Sequence, residues 1–230
     1  VILRCDGVQS SRGKPGNGAL CRWTAVAAAT VLSIFCSGAQ ADRGVLAPTG
    51  LVLSPNSARL EYIHMASDGR SNLGWLTVGY PDEELGLELE AERSDLGSRQ
   101  RETFAIQYSL TGNAFSDLAP AISVGVRDVL NRGREGRAFF LAATKTFRLS
   151  ESQEKILRDW KLHLGYGSNR LDGAYIGVEG RLALGLTANL EYLAGRFNAA
   201  LALPIARYIR LRAYTLDGDL FYGASVALIR

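Results

Sequence analysis

The sequence alternates. From Glu84 to Glu92 it reads Glu-Leu-Gly-Leu-Glu-Leu-Glu-Ala-Glu, with Leu85, Leu87, Leu89 and Ala91 on one parity and Gly86, Glu88, Glu90 and Glu92 on the other. Successive strand side chains point to opposite faces, so this segment makes a strand with one apolar and one wet face. On a helix the same residues would scatter around the axis. The alternation recurs. Phe104, Ile106, Tyr108 and Leu110 oppose Thr103, Ala105, Gln107 and Ser109, and Ile122, Val124 and Val126 oppose Ser123, Gly125 and Arg127. Trp160, Leu162, Leu164 and Tyr166 oppose Lys161, His163, Gly165 and Gly167. Leu182, Leu184, Leu186, Ala188, Leu190 and Tyr192 oppose Gly185, Thr187, Asn189 and Glu191. Ile209, Leu211 and Ala213 oppose Arg210 and Arg212, and the last run sets Leu220, Tyr222, Ala224, Val226 and Leu228 against Gly223, Ser225 and Ala227.

Turn residues such as Ser67-Asp68-Gly69, Thr111-Gly112-Asn113, Gly195-Arg196 and Asp217-Gly218-Asp219 separate the runs. The spacing gives strands over 58–66, 71–80, 84–93, 101–111, 120–130, 137–147, 158–168, 173–182, 184–193, 196–204, 206–215 and 219–229. The first two have an open register, and 137–147 carries small or apolar residues on both faces. A short capping pattern at Ser150 and Gln153 is read as loop. Strands joined by short turns form an antiparallel meander. So long a meander cannot stay open without two exposed edges and an unmatched apolar face. It closes either with the apolar face inward, as a soluble lipid-binding barrel, or with that face outward, in a bilayer. Strand length, even strand number and aromatics near strand ends (Tyr80, Trp160, Tyr166, Tyr192, Tyr208, Tyr214, Tyr222) favour the second. The expected fold is therefore an all-β, antiparallel up-and-down transmembrane β-barrel of about 12 strands, 10 being the other even count.

The first 41 residues read as an exported leader. Arg12, Lys14 and Arg22 precede an uncharged run from Trp23 to Phe35, and Ala39-Gln40-Ala41 forms an A-x-A cleavage site before Asp42. Removal of 1–41 takes Cys5, Cys21 and Cys36 with it, so no disulfide or cysteine-metal framework is expected. It also leaves 22 basic against 22 acidic side chains, which gives no case for nucleic acid. The organisation is then 1–41 upstream extension plus signal peptide, 42–57 N-terminal lead-in, and 58–230 barrel.

The inward parity supplies the candidate site. Glu88, Glu90, Arg127, Lys145, Lys161, His163, Glu191, Arg210 and Arg212 are expected to form a lumen polar network, because charges inside a narrow barrel must be paired. Asp128 has the wrong parity for the lumen, so its strand should end or bulge there. Arg132, Arg134 and Arg137 make a basic turn. With both termini periplasmic, strand parity puts that turn outside. There it could meet the phosphates of lipopolysaccharide or an acidic polysaccharide. The carboxylates of Glu88, Glu90 and Glu92 sit about 7 Å apart on one face, too spread for a single ion without other ligands. No nucleophile lies beside a base. No catalysis, metal or cofactor is expected. The expected partners are outer-membrane lipid and the barrel-assembly machinery.

Several pieces, in order, resemble the YjbH family of bacterial outer-membrane proteins. Ile122 to Val129 contains the family's "VGVRD" strand, and Phe140 to Phe147 corresponds to its "Y-x-x-A-S-K-x-F" strand. Leu162 to Gly167 is similar to "LGLGWG", Tyr175 to Gly180 to "FGGVEY", and Asn189 to Tyr192 to "AEYD". Pro48-Thr49-Gly50-Leu51 and Pro55-Asn56 resemble its N-terminal approach. The resemblance implies a role in producing or exporting extracellular polysaccharide, with polysaccharide or export proteins as further partners. A small porin-like solute channel is the alternative expectation.

Overall fold

The alternation closes on itself. In a computed structural model, described here over residues 44–68, 71–80, 86–96, 99–111, 118–149 and 157–229, twelve strands form one closed antiparallel barrel. They are β1 (Ser57–Met65), β2 (Asn72–Tyr80), β3 (Gly86–Leu96), β4 (Arg99–Ser109), β5 (Ala121–Arg127) and β6 (Ala138–Arg148). β7 (Leu157–Gly167), β8 (Gly173–Leu182), β9 (Thr187–Leu193), β10 (Arg196–Pro204), β11 (Ile209–Leu216) and β12 (Asp219–Ile229) complete the wall. Each strand pairs with its sequence neighbours, and β1 closes against β12 from Ser57↔Ile229 to Met65↔Phe221. Closure removes both sheet edges, so no ladder is left open to water or lipid. Ser57 and Ile229 share one rim, called here the terminal rim. The turn following each odd-numbered strand lies at the opposite rim.

The barrel is apolar outside and largely polar inside. Leu60, Leu76, Leu141, Leu164, Leu190, Leu201 and Leu211 are exposed on the outer wall. Glu61, Thr77, Ser109, Ser123, Thr144, Glu179 and Glu191 are buried within. Aromatic rings flank the outward leucines at both ends. Phe147 stacks on Trp160 at the terminal rim, centroids 4.1 Å apart, and Tyr192 leans on Phe197 at the opposite rim. The open register of the first two strands resolves with Arg59, Glu61, Ile63, Leu73, Trp75 and Thr77 inward. His64 then faces out, its Nδ1 2.6 Å from Asn72 Oδ1 and its ring edge-on to Tyr222.

Some strand bounds shift: β5 ends at Arg127 rather than 130, and β11 begins at Ile209 rather than 206. The ninth strand begins at Thr187 rather than 184, because Ala183–Gly185 is a 3-10 turn with Leu184 at φ 61°. Leu184 therefore leaves the alternation and stands exposed at the rim. The lead-in lies inside the barrel. Gly44 to Ser54 runs through the lumen from the opposite rim to the terminal rim, then turns at Pro55-Asn56 into β1. The expected leader at 1–41 and the loop at 150–156 lie outside the described residues.

The lumen and its plug as candidate functional site

A segment buried without strand pairing must still satisfy its backbone. In Gly44–Ser54 this is done by inward side chains of five strands. At the opposite-rim end, Glu191 of β9 accepts from the amides of Leu46 (2.8 Å) and Ala47 (2.9 Å). Arg127 of β5 donates to the Leu46 carbonyl (2.5 Å). Midway, Gln107 of β4 donates to the carbonyls of Thr49 (2.6 Å) and Leu51 (3.2 Å), and Ser123 of β5 to that of Thr49 (2.9 Å). The Gly50 amide donates to Thr144 Oγ1 of β6 (2.8 Å). Near the terminal rim the Leu53 amide donates to Glu88 Oε2 of β3 (2.6 Å). Glycines make room for the passage. A Cβ on Gly50 would fall inside contact distance of the Ala121 carbonyl, and one on Gly79 would strike the carbonyl of Ser54. Val45 and Ala47 also pack into two apolar clusters of the lumen, one with Ile63, Trp75 and Phe221, the other with Phe140, Leu171 and Tyr175.

Other inward charges pair within the lumen. Lys161 and Glu179, direct cross-strand partners, lie 2.6 Å apart with both side chains buried. Glu61 accepts a hydrogen bond from the Tyr214 hydroxyl and faces Arg212 Nε at 3.5 Å. Arg212 also donates to Ser225 Oγ and to Tyr214. His163 Nδ1 sits 2.8 Å from Thr144 Oγ1. Glu90 lies against the plug beside Arg59 and Arg127, around a cavity of about 30 Å³. Arg210 shares the inward face of β11 with Arg212. Eight of the nine expected lumen residues are thus inside. The three carboxylates of β3 do not converge on one point. Glu88 holds Leu53, while Glu92 pairs with Arg170 at 2.8 Å.

Lys145 is a correction. Phe140, Ala142 and Thr144 of β6 face inward, so Lys145 is on the outer wall beside Leu162 of β7. It lies three residues from the terminal end of β6.

Above the plug, the opposite rim opens into a vestibule of about 450 Å³. Its floor is Leu46, Leu73, Trp75, Leu216 and Phe221, and its walls carry Glu92, Arg101, Arg134, Glu135, Arg170 and Asp217. Arg170 belongs to the short 3-10 turn Asn169–Leu171 between β7 and β8. Glu92 beside it is the main influence holding its guanidinium above the ordinary arginine value, against the opposing effect of burial. The turn over 128–137 sits on the same rim. As parity requires, β5 ends before Asp128, which takes φ 52° and accepts from the amides of Arg132 (2.9 Å) and Gly133 (2.5 Å). Arg132, Arg134 and Arg137 are exposed there.

Sequence reading missed the plug and the residues that serve it, Gln107, Ser123 and Thr144, and also Glu61, Glu179 and Tyr214. Gln107, Ser123 and Thr144 meet backbone groups of the plug, which leave no pattern; Glu61 and Thr144 lie in strands whose register the sequence left open, and Tyr214, expected among the membrane-facing aromatics, is instead buried in the lumen against Glu61.

No protein-family model and no curated protein matches this sequence. Among solved structures the chain is similar to two mutant forms of the Rhodopseudomonas blastica porin, each at 12% identity and TM-score 0.36. The match covers 68% of this chain and 55% of the porin, so the chain spans about half the porin's length. It is also similar to an outer membrane channel from Pseudomonas putida F1, at 15% identity and TM-score 0.41, over 84% of this chain and all of the other.

Proposed function

We propose that this chain is a non-catalytic bacterial outer-membrane β-barrel, closed at rest by its own N-terminal segment. The observation that carries the reading is the plug itself, tied to five strands by eight hydrogen bonds. A free solute pore has no use for such a fitted occupant. The membrane placement rests on the inverted wall. Exposed leucines and valines outside and buried carboxylates inside reverse the order that water demands, and they suit hydrocarbon about 25 Å thick. With the terminal rim toward the periplasm, the vestibule and basic turn face outward. Cleavage before Asp42 would leave the new N-terminus two residues before Gly44, where the lumen segment begins.

The resemblance of 48–229 to the YjbH family supports a role in export or biosynthesis of extracellular polysaccharide, or in envelope assembly. In this role the barrel is a gated or supporting component, and the porin-like channel remains the second reading only for a displaced plug. Planar-bilayer recording tests the core of the proposal. The full chain should insert, run faster unboiled than boiled on SDS gels, and conduct only in rare brief events. Steady ohmic conductance from every inserted molecule would defeat the plugged reading. No mobility shift, with the protein soluble in the periplasm, would defeat the membrane reading as well.

A further inference from the structure

The wall is weakest between β4 and β5. Their ladder has four residue pairs, from Ile106↔Val126 to Ser109↔Ser123, whereas the other ladders have six to eleven. The cause is local. β5 is seven residues long and ends where Asp128 turns the chain. Beyond Ile106, β4 continues toward the opposite rim with a single described backbone bond to that side, from Val129 to the Phe104 carbonyl (2.9 Å). Over this seam the outer wall sinks into an apolar groove of about 590 Å³, lined by Ile106, Val124, Val126, Val129, Phe139 and Phe140. Phe140 belongs to the lumen by parity and is 6% exposed. It reaches the groove because Gly125 has no side chain there: a Cβ on Gly125 would strike the Phe140 ring. The same ring also lines the small cavity beside the plug.

The groove ends under a cation. Arg137 lines it, and Arg137 Nε donates to the Val129 carbonyl (2.8 Å), which holds the guanidinium over the rim. No carboxylate among the described residues pairs with Arg137. On the same turn Arg132 is exposed and adds positive charge, while Arg134 lines the vestibule. The Asp128 carboxylate is occupied by two amides, and Glu135 lines the vestibule on the other side of the wall. An apolar trough with a fixed guanidinium at its interfacial end matches an amphiphile with an acyl chain and an anionic oxygen head. Arginine's planar fork suits phosphate in particular.

We propose that the β4–β5 groove seats one phosphate-bearing lipid of the leaflet at the opposite rim. Its acyl chain lies across Val124 and Val126 against Phe140, and its phosphate accepts from the terminal amino groups of Arg137. The proposal rests on the membrane reading above. Its test uses the full chain in phosphatidylcholine nanodiscs doped with phosphatidylglycerol carrying a photoactivatable acyl chain. Cross-links should concentrate on peptides spanning 104–110 and 124–140 relative to the rest of the apolar belt. The matching phosphatidylcholine probe should show no such preference. Arg137→Gln should lower the preferred labelling roughly fivefold, the worth of one arginine against an anionic lipid surface. Val124→Trp, which fills the groove, should lower it with Arg137 intact. Even labelling around the belt, or a preference indifferent to Arg137→Gln, overturns the lipid seat. Unboiled and boiled samples of the same preparations are compared on gels. Without a mobility shift the membrane reading has failed; with a shift and even labelling, only the lipid seat has failed.

Discussion

Replacing Glu191 by Ala should unseat the outer end of the plug and leave the barrel standing. Glu191 is buried and accepts from the Leu46 and Ala47 amides at 2.8 and 2.9 Å, and from Asn198 Nδ2 at 3.1 Å. Hydrogen bonds to a charged partner contribute about 1.5–3 kcal/mol each. The two plug bonds lie beside the vestibule, where freed amides can find water, so the low end applies. That gives about 3 kcal/mol for the pair, or roughly a hundredfold in the open population at about 1.4 kcal/mol per decade. The inner end should stay in place, because Gln107, Ser123, Thr144 and Glu88 are untouched. The assay is the reactivity of Leu46→Cys toward a membrane-impermeant maleimide. It is carried in a chain whose Cys5, Cys21 and Cys36 are replaced by Ser. Labelling of Leu46→Cys should rise by about two decades with Glu191→Ala. Glu191→Gln keeps one acceptor oxygen and should fall between. Asn198→Ala removes a bond that does not touch the plug and should change little. Retained heat-modifiable mobility shows that the barrel is intact. If Glu191→Ala labels within about threefold of the parent, the carboxylate is not what holds the plug, and the gating account falls with it.

Other perturbations separate the wall from its contents. Lys161→Met strands the buried Glu179 carboxylate and should cost about 3–5 kcal/mol, read as the urea midpoint of folding into lipid vesicles. Adding Glu179→Leu should return most of that loss. Leu164→Arg, on the outer face of β7, should cost about 2–4 kcal/mol in a bilayer if it lies near the midplane. A barrel with that face in water would show almost none. Gly50→Val cannot fit against Ala121 and Thr144, so it should turn a silent bilayer recording into a conducting one with the mobility shift preserved. Mass spectrometry of the membrane-extracted protein should read Asp42 as the first residue.

Parity decided most of what was legible. Wherever one face was plainly apolar, as in β3, β4, β7 and β11, strand existence, direction of the side chains and closure all followed from period 2. The alternation was silent where both faces looked alike. Residues 137–147 offer Ala, Phe and Thr on either parity, so the lysine there could be assigned to the lumen or the wall with equal ease. Only the fit of Thr144 to Gly50 and His163 puts Lys145 outside. The plug was illegible for a different reason. Its polar contribution is main chain, identical in every residue, and its side chains are the glycine, proline and small apolar residues that also make ordinary linkers. What the sequence did contain was the other half of the interaction. Inward Glu88 and Glu191 both spend oxygens on plug amides. Acidic side chains on the inward parity, in a barrel preceded by an uncharged segment long enough to cross it, are acceptors for the amides of a backbone inside. Arg127 completes the logic from the opposite sign, since its donors meet a plug carbonyl. The lumen is built for a strand of peptide with free amides and carbonyls, and that fit is what a gating stimulus would have to overcome.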